Sequence, residues 1–172
     1  MMNHSIQTVA IVGAGRMGQR HVQAAQQAGF CVIGIADLDI ARARDLAHDM
    51  AVPSHFVFSS VDDLLRHSRP DALVVATTAD SHYTIAQAAI DASINFVLVE
   101  KPFTTSVSDA EKLLTQMREH NIHLAVNHQV RFTERYLAVK DLLANEFFGE
   151  ALSMIVGSGN IGLAMGASHY LD

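Results

Sequence analysis

The chain has no run of lysines or arginines, a single cysteine, and no apolar stretch long enough to cross a bilayer. Each absence excludes something. Its 172 residues carry 12 Lys+Arg against 18 Asp+Glu, a formal charge of −6. A phosphate backbone is gripped by clustered basic side chains, so no nucleic-acid partner is expected. Cys31 has no second cysteine to pair with, which points to a reducing compartment rather than a disulfide framework. The opening MMNHSIQT lacks the basic start and apolar core of a secretory leader, and a spanning helix needs ~20 apolar residues. A soluble, cytoplasmic protein with no membrane partner is expected. There is no G-x-S-x-G elbow for nucleophilic catalysis. His120, His123 and His128 straddle a predicted helix end and a predicted strand, with no cysteine or carboxylate cluster at ligand spacing. No metal site is expected.

What is present is the composition of a globular protein, 49% hydrophobic and 17% charged. Short apolar runs alternate with longer amphipathic stretches. TVAIVGAG, CVIGIAD, HFVF, DALVVATT, NFVLVEK and HLAVNHQV read as six strands. Between them lie helical stretches beginning at Arg16, Asp39, Ser60, Asp80 and Ser106, with Ser60/Asp63 and Ser106/Asp109 at capping-box spacing. Strand–helix alternation predicts a parallel, doubly wound α/β sheet in the order 3-2-1-4-5-6. The pattern changes near residue 130. TERYLAVKDLLANEFFG reads as an amphipathic helix with Tyr136, Val139, Leu142 and Leu143 on one face and Gly149 as its stop. EALSMIVGS then reads as a strand. The expected organisation is a Rossmann-type domain over residues 1–125 and the beginning of a second, incomplete α/β domain over 126–172.

Gly13, Gly15 and Gly18 form G-x-G-x-x-G directly after the first strand and at the start of a helix. The first glycine permits a tight turn, the second lets a pyrophosphate approach the backbone, and the third lets helix and strand pack closely. The free N–H groups of the helix start would face the phosphates, with Arg16 and Met17 inside the loop as further cofactor contacts. Asp37 ends the second strand about twenty residues beyond the loop, where a carboxylate accepts from ribose hydroxyls. Such a carboxylate favours NAD over NADP, because a 2′-phosphate would meet its charge. The competing reading is a tight strand–helix turn with a capping aspartate. Arg42 and Arg44 read as solvated residues of the next helix.

Ligands of doubly wound sheets sit beyond the carboxyl ends of the strands. Thr77 and Thr78, His82, and Glu100-Lys101 should collect there. VGAGRMGQRH, ATTADSH and above all VEKPF resemble the glucose–fructose oxidoreductase, inositol dehydrogenase and rhizopine-catabolism (Gfo/Idh/MocA) family. VRFTERYLAVKDLLANEFFGE and GASHYLD resemble its later segments. The resemblance implies hydride transfer between a nicotinamide cofactor, NAD or NADP, and a sugar, polyol or related carbon, with homo-oligomerisation through the second domain. It implies that Lys101 lies near nicotinamide and substrate hydroxyl. A lysine in a desolvated, apolar mouth has a lowered pKa and exchanges protons near neutrality. Glu100 would hold that lysine or tune its charge, and Lys101–Pro102 is a candidate cis bond.

Other positions keep two readings. Lys101 could instead be a solvated strand end. His82 is either a ligand contact or a helix-start histidine packing on its own turn, and His21 is a packing residue first and a functional one second. Arg131 matches a family arginine or pairs with a helix carboxylate. His169 matches the later catalytic histidine or is a lone histidine of a turn. Where the family commonly carries an aspartate four residues before that histidine, this chain has Met165, which cannot exchange a proton. The alternative to an oxidoreductase is a catalytically silent NAD(P)-binding module.

Overall fold

In the computed structural model, residues 6–145 and Gly149 are described. The chain divides into two compact units, the first ending at His128. The first unit is a six-stranded parallel sheet: β1 (Thr8–Val12), β2 (Cys31–Ala36), β3 (Val57–Phe58), β4 (Ala72–Val75), β5 (Phe96–Val99) and β6 (His123–Val126). The strands lie in the order β3-β2-β1-β4-β5-β6, as the alternation predicts. The intervening helices are α1 (Arg16–Gln27), α2 (Ile40–Asp49), α3 (Val61–Ser68), α4 (His82–Asp91) and α5 (Val107–Glu119).

The period-two pattern of the strands builds two cores, one on each face. Ala10 and Val12 of β1 join Leu73, Val75, Val97 and Val99 under α3, α4 and α5. Val9 and Ile11 turn the other way, to Ile35 and Val74 under α1 and α2. Burying both faces explains why these strands read as continuous apolar runs. Both serines cap their helices: Ser60 Oγ accepts from the Asp63 N–H at 3.1 Å, and Ser106 Oγ from the Asp109 N–H at 3.4 Å.

Several boundaries depart from the sequence expectation. After Pro53, Ser54–Phe56 form a 3₁₀ turn, closed by the Phe56 N–H on the Pro53 carbonyl, which shortens β3 to two residues. β6 ends at Val126: Asn127 donates to the Val99 carbonyl, then His128 turns back to Val126. Cys31, expected inside an apolar run, is exposed at the first position of β2.

In the second unit, Gln129–Phe132 form a 3₁₀ turn and α6 spans Glu134–Ala144. The helix ends at Asn145 rather than Gly149, with the Asn145 side chain donating to the Asp141 carbonyl. Tyr136, Val139, Leu142 and Leu143 are all exposed, as is Arg131. The strand expected at EALSMIVGS lies outside the described residues.

Candidate active site

The glycine loop explains itself by what its glycines would strike. Gly13 has φ +101°, and a Cβ there would sit 2.6 Å from the Ala76 carbonyl oxygen. A Cβ on Gly18 would overlap the Gly13 carbonyl at 1.8 Å. These two glycines are required by the fold itself, one for left-handed backbone and one for close helix packing. Gly15 differs: a Cβ there would meet nothing within 4 Å. Its bareness faces open space, as expected where a ligand approaches the backbone.

That space is a groove of about 730 Å³ at the carboxyl edge of the sheet. Seven of the expected cofactor residues line it: Gly13, Gly15, Arg16, Met17, Asp37, Thr77 and Thr78. Gly18, His82, Glu100 and Lys101 do not. Asp37 Oδ2 accepts from the Ala14 N–H at 2.7 Å and Oδ1 from the Asp39 N–H at 2.9 Å. The carboxylate therefore braces the glycine loop and remains partly exposed to the groove. Arg42, read from the sequence as merely solvated, also lines the groove, with its guanidinium 3.5 Å from Asp39. Leu38 is a residue that sequence reasoning missed: it is 95% exposed at the rim beside Asp37. An apolar residue directly after Asp37, where the second strand runs into the next helix, was its only signal in the sequence.

Among the described residues, the buried polar side chains are two, and both lie at this edge: His82, 1% exposed, and Glu100, 5% exposed. His82 Nδ1 donates to the Pro102 carbonyl at 2.7 Å, and Nε2 lies 3.2 Å from the Thr77 carbonyl. A neutral imidazole donates from one nitrogen only, and the shorter contact selects Nδ1–H. His82 thus ties the start of α4 to the loop after β5. Ser81 closes the same turn, its hydroxyl 2.7 Å from Thr77 Oγ1 and 2.9 Å from the Thr78 carbonyl.

Glu100 is expected from the sequence to hold Lys101, yet its side chain goes elsewhere. Glu100 Oε1 accepts from His21 Nε2 at 2.8 Å and from Asn127 Nδ2 at 2.6 Å. Burial alone would push this carboxyl up, but the bonds from Asn127 and His21, the His21 charge and the Lys101 backbone N–H outweigh it and hold it below its ordinary value. The expected desolvated lysine is also corrected. Lys101 lies beyond β5, which ends at Val99, and is exposed, while Glu100 before it is buried. The Lys101–Pro102 peptide is cis. His169 and Met165 lie outside the described residues.

With strand order, glycine loop and terminal carboxylate in place, the comparisons with known proteins decide the family. A family model described as an oxidoreductase family with an NAD-binding Rossmann fold, GFO_IDH_MocA, matches residues 7–128. The chain belongs to this family. An inositol 2-dehydrogenase from Leifsonia xyli is 32% identical over 147 residues, covering 84% of this chain and 42% of that protein. Among solved structures, the UDP-N-acetylglucosamine 3-dehydrogenase GnnA of Acidithiobacillus ferrooxidans superposes with a TM-score of 0.71 at 27% identity, covering 80% of this chain and 43% of that one. The WlbA dehydrogenase of Bordetella pertussis, solved with NADH and UDP-GlcNAcA, gives 0.77 at 26% identity, with 84% and 44% covered. The chain spans less than half the length of these relatives. Among the described residues no helix is long and apolar enough to cross a membrane.

The residues present fit the family's cofactor. The open side of Gly15, the partly exposed Asp37 and the five other expected residues that line the groove shape a space that a dinucleotide would fill.

Proposed function

We propose that this chain carries the cofactor half of an NAD-dependent oxidoreductase acting on a hydroxyl or carbonyl carbon of a sugar, cyclic polyol or nucleotide-activated sugar. The observation that carries the proposal is the groove itself, with bare Gly15 and the Asp37 carboxylate on its wall. Gly15, Arg16 and Met17 would hold the pyrophosphate at the start of α1, and Asp37 the adenosine ribose. Thr77 and Thr78 would line the path toward the nicotinamide. When bound, the nicotinamide supplies a hydride acceptor or donor. Lys101, exposed just past β5, would move the proton of the reacting hydroxyl, with His169 as its companion. His82 serves the site by holding the Pro102 carbonyl in place. NAD is favoured over NADP by the Asp37 charge.

The lone, exposed Cys31 supports a reducing, cytoplasmic location. The exposed apolar residues of α6 support self-association.

The test uses the purified chain with NAD⁺ or NADH and a panel of cyclic polyols, sugars and UDP-sugars, followed by nicotinamide absorbance. Turnover that disappears in Lys101→Ala while NADH still binds is the expected result. NADH binding without turnover, unchanged by Lys101→Ala, would instead assign the chain the role of a silent nucleotide-binding module.

A further inference from the structure

Glu100 joins three elements. Its Oε1 accepts from His21 of α1 and from Asn127, just past β6, and Lys101 is the next residue after it, just past β5. His21 and Glu100 are 79 residues apart in sequence, and their side chains are only 12% and 7% exposed. A carboxylate this enclosed is costly unless its lone pairs are satisfied, and here donors arrive from both sides of the sheet edge. The helix that contributes His21 begins at the glycine loop. Hydrogen bonds therefore tie the cofactor helix to the residue that immediately precedes Lys101.

We infer that His21 is a positioning residue for Lys101. With Asn127 it fixes the Glu100 carboxylate, and Glu100 is covalently joined to Lys101, so the lysine side chain starts from a rigid point just past β5. The inference rests on the reading of Lys101 given under Proposed function. It assigns His21 no contact with substrate, and it gives Glu100 the task of holding backbone rather than neutralising an ammonium. In this arrangement the Glu100 side chain at the end of β5 cannot shift without breaking buried, charge-assisted bonds.

The sequence offers a direct readout, because it contains three lysines, Lys101, Lys112 and Lys140. Competitive acetylation read by mass spectrometry gives the rate at Lys101 relative to the other two, with and without NADH. In the wild-type chain NADH is expected to slow Lys101 about fivefold relative to Lys112, and in His21→Leu, with NADH still bound, by less than about twofold, since small misplacements weaken contacts of this kind strongly. His21→Gln, whose amide N–H can donate to Glu100, should restore the protection. Asn127→Ala removes the second donor from the other side and should repeat the loss, which keeps the test decisive if His21→Leu fails to fold. Equal protection in wild type and in a folded His21→Leu or Asn127→Ala chain overturns the inference alone. Bound NADH that leaves wild-type Lys101 unprotected overturns the placement of Lys101 itself.

Discussion

His21 Nε2 and Glu100 Oε1 lie 2.8 Å apart, linking the helix of the glycine loop to the end of β5. The pair is enclosed, and Asn127 completes it at 2.6 Å. Because the carboxylate is the better satisfied form, the folded protein holds Glu100 ionised at pH values where an unfolded chain has begun to protonate it.

That difference has a pH signature. A carboxyl held below its unfolded value stabilises the fold above about pH 4.3, and the contribution is lost as pH falls through the lower folded value. At neutral pH Glu100→Gln should cost about 1–3 kcal/mol, the scale of hydrogen bonds to a charged group. Denaturant melts of both proteins along a descending pH series should show the gap closing under acid. A gap that stays constant into strong acid would remove Glu100 from the acid response.

The glycines separate fold from ligand. Gly13→Ala places a methyl against the Ala76 carbonyl at left-handed backbone and should destabilise by ~2–4 kcal/mol. Gly15→Ala, with open space around it, should change stability by no more than ~1 kcal/mol while weakening NADH binding. Thermal melts alongside NADH fluorescence titrations check this. The opposite pattern, a destabilised Gly15→Ala that binds NADH normally, would make the loop a structural turn.

His82 can be tested between its two sequence readings. If it serves by holding the Pro102 carbonyl, His82→Leu should cost about 1–3 kcal/mol in urea unfolding and leave the NADH affinity of the folded chain within about threefold, less than 1 kcal/mol. Unchanged stability with lost NADH binding would make it a ligand contact instead.

The sheet was legible because apolar strands buried on both faces leave a continuous signal, and because right-handed crossovers restrict the strand order. The short β3 was less legible: its ladder is two residues long, and Pro53 turns the preceding residues into a 3₁₀ turn. The cofactor wall could be read where spacing is local, as in the glycine loop and Asp37. The destination of the Glu100 side chain could not, since its partners come from α1 and from beyond β6 and meet only in the folded sheet. The one hint was positional: His21 follows Gly18 by one helical turn and so shares the face that packs on the sheet. Lys101 was misjudged as desolvated because an apolar run gives no sign of which way the residues after its end will point.

The most direct test of the cofactor reading is a calorimetric titration of the chain with NADH and NADPH, repeated on Asp37→Ala. One NADH per chain is expected, bound more tightly than NADPH, with the substitution weakening NADH about tenfold, roughly 1.4 kcal/mol, and NADPH by clearly less. No binding of NADH, or an equal loss for both cofactors, would contradict the placement of the ribose at Asp37.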